Sequence, residues 1–350
     1  MRRSGATPVL TISVASTQQP FKALAVGVVL MVISGFAPAL VMALLGWDGG
    51  VNVATLIGMA VFLACIGGNG WRTGLNIALP LAVLAGLAQW AAPNPWLAAL
   101  VLAVAAFLRG YAAKVGMHDA LIMSVISLGF LVSSPVPQTS VNSSVPIPIY
   151  VFLVSLITAS WATFVIYLLR HRLHARHHTG LNPIRVLAFS LVLAFLVGVT
   201  TWFVVDLNLG HTGAWIILTI VVVFQPALGD GFRKAAYRAT GTVVGFVIAI
   251  AVGLVVPNGP LLYLVGTVFL LGAFILLLQG RPYWVFAAAL TPAIVLLESA
   301  DSTVYVVAEE RLGATLIGVL CTVLVMLALL PLTKRLTVRS QARSSESPKG

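Results

Sequence analysis

The residues able to do chemistry in this chain are few and grouped. Arg233, Lys234 and Arg238 follow an apolar run that ends at Gln225-Pro226, across the glycine-rich segment Gly229 to Arg233. Arg238, Thr242 and Gly245 then share one helix face at spacings of four and three. The same pattern returns as Arg311, Thr315 and Gly318, and Leu218-Thr219 returns as Leu290-Thr291, each about 72 residues further on. Guanidinium and hydroxyl groups set in apolar surroundings bind anions, because charge-assisted hydrogen bonds strengthen where water is scarce.

The rest of the chain is an apolar frame for these groups. Hydrophobic residues make up 60% of it, charged residues only 8%, and the mean hydropathy is +1.05. A soluble domain needs about a quarter charged residues, so this composition specifies an all-α polytopic integral membrane protein. The long runs lack period-two alternation and therefore read as helices. The net charge of +11 is spread over the ends of apolar runs, which excludes a nucleic-acid partner. Cys65 and Cys321 lie inside apolar runs without metal-ligand spacing.

Runs of about 16 to 23 apolar residues predict twelve transmembrane spans. They form two six-span repeats, at 21–169 and 186–333. A basic cytoplasmic loop (170–185) joins them, with polar tails at 1–20 and 334–350, the end from Arg339 being read as disordered. With both termini inside, every basic residue except Arg311 falls on the cytoplasmic side. The halves share GGNGWR (Gly67 to Arg72) with LGDGFR (Leu228 to Arg233), and PFKALAVG (from Pro20) with PIRVLAFS (from Pro183). Inside the second half the two Arg-Thr-Gly copies run in opposite directions, the signature of an inverted three-plus-three repeat. Spans two, five, eight and eleven are the shortest, and span eleven is expected to break at Thr291-Pro292, freeing the Ala288 carbonyl.

Trp215 with Leu218-Thr219, Gln225-Pro226, the glycine segment, Arg238 with Gly241-Thr242 and Gly245, and Arg311 with Thr315 and Gly318 together resemble the fusaric-acid-resistance-like (FUSC) membrane proteins, which include aromatic acid exporters. The resemblance is strongest over Arg185 to Leu330. It implies a bacterial inner-membrane exporter of aromatic or other hydrophobic carboxylates. Members with large cytoplasmic domains after each span block differ from this chain, which leaves the use of a periplasmic adaptor open.

The substrate-path candidates are Trp215, Thr219, Gln225, Arg233, Arg238, Thr242, Trp284, Thr291, Arg311 and Thr315. Each also has a plainer reading. Arg233 and Lys234 serve equally as loop anchors, Trp215 and Trp284 as interface residues, and Gly241, Gly245 and Gly318 as close helix packing. Arg311, read at an outer helix start, either pairs with Glu309 and Glu310 at the rim or turns inward toward substrate. His171, His174, His177 and His178 form a histidine-rich loop without the further boxes a di-iron enzyme needs. No phosphate-binding GxxxxGK[ST] loop or nucleophile triad occurs, so neither catalysis, cofactor nor metal is expected. The expected partners are the lipid bilayer and a small organic anion, with homo-oligomerisation left open. The alternative function is a non-transporting scaffold that binds lipid or envelope partners.

Overall fold

The computed structural model describes residues 21–140, 145–170, 180–256, 259–299 and 303–345; of these, the side chains of 21–26, 140 and 332–345 are left undescribed. The N-terminal tail and the histidine-rich loop from His171 to His178 lie outside the described residues.

Among the described residues there are twelve α-helices. In the first half they are α1 (Phe21–Leu44), α2 (Asp48–Gly67), α3 (Trp71–Ala91), α4 (Pro95–Tyr111), α5 (Ile122–Ser133) and α6 (Ile147–Leu168). The second half holds α7 (Pro183–Asp206), α8 (Gly210–Val223), α9 (Leu228–Val255), α10 (Pro260–Leu278), α11 (Tyr283–Glu298) and α12 (Val304–Ser345). Nine are long and apolar enough to cross a membrane; α5, α8 and α11 are shorter.

The starts of these helices follow from local chemistry. Asn94 caps α4 by accepting hydrogen bonds from the amides of Trp96 (3.0 Å) and Leu97 (3.2 Å), with Pro95 at the first helical position. Asn182 caps α7 through the Ile184 amide (3.0 Å), again with proline next. The turn between α2 and α3 needs Gly70 at φ +64°, a conformation that costs other residues energy.

Four features differ from the sequence expectations. Span two is not short: α2 runs 20 residues from Asp48, because Asp48, Gly49 and Gly50 continue the helix. The glycine segment from Gly229 to Arg233 is no turn but the opening of α9; the chain reverses just before it, where Phe224 is extended. Helix α11 runs unbroken through Pro292, and the position of the missing Pro292 amide is covered by close packing against α9. Finally, α12 continues to Ser345, well into the stretch read as a disordered tail, because its polar end contains no helix breaker after Pro331.

The packing scheme puts the short helices at the centre. Every residue of α8 from Gly213 to Val223 is buried, enclosed by α5, α7, α9 and α12. A helix with no lipid-facing side need not match the hydrocarbon thickness, so α8 can be short. The pairings α1 with α2, α2 with α6 and α3 with α6 recur as α7 with α8, α8 with α12 and α9 with α12. The two halves meet mainly where α4 lies along α7, and again where α5 touches α8.

Small residues set the closest approaches. At Gly58 of α2, a Cβ would stand 2.8 Å from both the Gly35 Cα and the Ser34 carbonyl oxygen of α1. That is backbone against backbone, with no flexible side chain to yield. Gly58→Val is therefore expected to destabilise the protein by about 1–3 kcal/mol through overpacking, read as a lowered thermal midpoint in detergent.

Candidate functional site

The two Arg-Thr-Gly patterns lie on α9 and α12, and both arginines point into the protein. Arg238 is 1% exposed and Arg311 3% exposed. Neither begins its helix, as the sequence had suggested. Arg238 stands ten residues into α9, and Arg311 seven residues into α12. Among the described residues no ion pair joins Arg311 to Glu309 or Glu310, both of which are exposed. The rim-pairing alternative is thus replaced by an inward orientation.

Each motif crosses a different short helix in an equivalent way. Gly245 of α9 abuts Thr291 of α11, where a Cβ would come within 2.6 Å of the Thr291 Cβ and 2.8 Å of the Ala288 carbonyl oxygen. Gly318 of α12 abuts Thr219 of α8, where a Cβ would come within 2.8 Å of the Thr219 Cβ. Thr219 and Thr291 are the residues the sequence comparison had matched to each other. Both hydroxyls donate one turn back along their helices, to the Trp215 and Ala287 carbonyls at 2.9 Å. The contacts α9 to α11 and α12 to α8 are therefore counterparts. Gly241 extends the first of them, facing Ala287 and the Trp284 carbonyl oxygen.

The guanidinium surroundings are largely aromatic. The Arg311 guanidinium lies over the Trp215 ring at 3.6 Å from its centroid. Trp215 is fixed edge-on by Phe130 of α5, with centroids 4.8 Å apart. Arg238 donates from Nη1 to the Tyr283 hydroxyl at 3.4 Å. The two arginines repel each other electrostatically and Glu298 attracts Arg311, but among the described residues no ion pair joins Glu298 to it. Arg238 Nε, Arg311 Nη1 and Thr242 Oγ1 are buried with no hydrogen-bond partner. Thr315, four residues along α12 from Arg311, is also buried, 1% exposed. An unsatisfied buried polar group costs about 1–3 kcal/mol, more if charged, so the two guanidinium nitrogens are the costliest of the three. What these groups can do is donate charge-assisted hydrogen bonds to an anion, with the Trp215 indole face already against Arg311.

The structure thus gathers Trp215, Thr219, Arg238, Thr242, Thr291, Arg311 and Thr315 in the crossing of α8, α9, α11 and α12. Three candidates lie apart. Arg233 is exposed and pairs with Asp230 at 3.2 Å within its own helix turn. Trp284 turns its ring outward, 39% exposed, as an interface residue does. Gln225 is buried beyond the end of α8, where its amide donates to the Val222 carbonyl at 2.9 Å and so closes the helix end.

Sequence reasoning missed Tyr283, Phe130 and Glu298, which are unremarkable in a line of apolar residues. It also missed a link between the halves: Lys234 of α9 pairs with Asp119 at 3.3 Å, in the turn before α5. Burial at the helix ends pushes the Asp119 carboxyl up, but Lys234, His118 and Arg109 outweigh it and hold the group below its ordinary value. No cluster of three metal-binding side chains occurs among the described residues.

A bundle with nine long apolar helices among its described residues defines a polytopic, all-helical membrane protein. Residues 189–325, from α7 into α12, match the family model for fusaric acid resistance protein-like proteins. Over these residues the chain is similar to that family, as its motifs had indicated, and the match contains every residue of the α8, α9, α11 and α12 crossing named above. No curated protein and no solved structure matches the chain.

Two outcomes follow. Trp215→Leu removes the ring under a desolvated guanidinium and is expected to cost about 2 kcal/mol or more, while Trp215→Phe retains most of that stability; thermal unfolding of the purified variants distinguishes them. The Asp119 carboxyl, lowered in the folded state, contributes stability that is complete above the unfolded carboxylate value of about 3.9 and is lost as pH falls through the lower folded value. The stability gap between the wild-type protein and Asp119→Asn should therefore close on acidification, and a gap independent of pH would contradict this account.

Proposed function

We propose that the protein is a gradient-driven secondary transporter that exports small aromatic or amphipathic organic anions across the bacterial inner membrane. The observation that carries this reading is the pair of buried arginines with unsatisfied nitrogen atoms at two equivalent helix crossings. A membrane-embedded ionisable group marks a functional site by default, since its burial must be repaid by a partner. Here the partner is the carboxylate of the cargo, taken between Arg238 and Arg311, with its apolar part against Trp215.

Transport follows from the duplication. In this reading the twelve helices are two six-helix repeats, and the second repeat is itself three helices followed by three inverted ones. The Arg-Thr-Gly faces of α9 and α12 then approach the site from opposite sides of the membrane. Rocking about the small-residue contacts Gly245–Thr291 and Gly318–Thr219 would open the arginine pair first to one side and then to the other. Both termini lie in the cytoplasm in this arrangement, following the distribution of the basic residues. The energy comes from an ion gradient, in keeping with a chain that carries no nucleotide-binding loop.

The test is efflux of radiolabelled benzoate from proteoliposomes. Arg238→Gln and Arg311→Gln should each lower the rate about tenfold or more, as expected for removing one partner of a buried charge pair. Arg233→Gln, at an exposed and locally paired cation, should leave it within about twofold. Unaltered efflux in both buried-arginine variants rules the reading out, and a stoichiometric protein partner co-purifying with a transport-inactive chain would support the scaffold alternative.

A further inference from the structure

A third buried arginine stands apart from this site. Arg109, in the last turn of α4, is 1% exposed. Its Nε donates to the His118 carbonyl oxygen at 3.1 Å. Both terminal nitrogens, Nη1 and Nη2, are buried with no hydrogen-bond partner. Among the described residues no ion pair reaches it. Asp119 attracts it electrostatically, but that carboxylate is engaged by Lys234 at 3.3 Å and faces His118 at 3.8 Å. The guanidinium therefore keeps its two-pronged edge, the part that binds a carboxylate with two parallel hydrogen bonds, unused.

The surroundings favour a flat ligand. The Arg109 guanidinium lies 5.9 Å from the centroid of the Phe189 ring. Phe189 in turn stacks on Phe224, with centroids 5.6 Å apart and planes within 10°. Phe189 comes from α7 and Phe224 from the end of α8, so the fork and the stacked rings meet where the two halves join. This is the end of the bundle at which Arg233 and Lys234 begin α9, and none of these residues belongs to the Arg238–Arg311 site.

We propose that Arg109 with Phe189 and Phe224 forms a second binding site, for a planar aromatic monocarboxylate, occupied before the anion reaches Arg238 and Arg311. The assignment rests on the reading of the protein as an organic-anion transporter and adds an inner waiting position to it. The carboxylate takes Nη1 and Nη2 of Arg109, and the ring joins the Phe189–Phe224 stack. One negative charge suffices, because Asp119 already balances Lys234. All three side chains are packed closed in this state. The ligand is admitted when the turn bearing Asp119 lifts away from Lys234, the contact that ties this turn to α9.

The experiment is equilibrium binding of radiolabelled benzoate and acetate to the full-length protein in nanodiscs. Wild type should hold two benzoates per chain. Arg109→Gln should hold one, and so should Arg238→Gln combined with Arg311→Gln. Phe189→Leu, which leaves the cation in place, should weaken benzoate binding at the Arg109 site by about threefold to tenfold, the range expected for one aromatic pair, while acetate binding stays unchanged. It also serves if Arg109→Gln fails to fold. Equal benzoate occupancy in wild type and Arg109→Gln, or equal weakening of benzoate and acetate by Phe189→Leu, overturns the assignment and leaves the Arg238–Arg311 reading standing. Loss of one benzoate only with Arg109→Gln, and none with the double variant, removes the central site instead. Absence of all benzoate binding in wild type defeats both.

Discussion

A guanidinium cannot shed its charge inside a protein, so burying one in a bundle surrounded by lipid obliges the fold to supply a partner. Arg109, Arg238 and Arg311 each meet this constraint incompletely. Every one has an aromatic ring or phenol beside it and at least one nitrogen left over. Carboxylates are present near them but are shared with other cations, as Asp119 is with Lys234. Among the described residues these three guanidiniums are thus left without an ion pair of their own.

The helix packing around these groups is made by absence of side chain. Gly245 and Gly318 bring α9 and α12 against threonines of the short helices, and Gly58 brings α2 against the backbone of α1. Between lipid-embedded helices there is no hydrophobic drive to association, so close van der Waals approach and internal hydrogen bonds must supply the attraction. Buried hydroxyls such as Thr219 and Thr291 satisfy themselves on their own helices. They therefore tolerate sliding of the neighbouring helix without losing a bond. Thr242 differs from them in making no such bond.

Much of the candidate site was legible because its signals are local. The spacing of Arg238, Thr242 and Gly245 specifies a common helix face, and its return at Arg311, Thr315 and Gly318 was visible by inspection. The matched pair Thr219 and Thr291 carries into three dimensions as a matched pair of contacts. For Arg233 and Trp284 the sequence left two readings open, because a cation or an indole near the end of an apolar run looks the same whether it turns in or out, and both turn out. Arg109 was sorted only to the cytoplasmic side with the other basic residues, since nothing in its spacing marks it as buried. Tyr283 and Phe130 gave no signal, since an aromatic residue in an apolar helix has no distinguishing neighbour in sequence.

By itself, the sequence determined that the chain is helical and membrane-embedded, and which residues repeat. Composition and periodicity act within a single helix, so they need no knowledge of what lies beside it. Only the tertiary structure decided that α8 lies at the centre, that Arg311 stacks on Trp215, and that Phe189, itself stacked on Phe224, faces Arg109. Those choices depend on which faces of helices remote in sequence are turned toward each other. In a chain whose helices are apolar on nearly every side, no single helix carries that information.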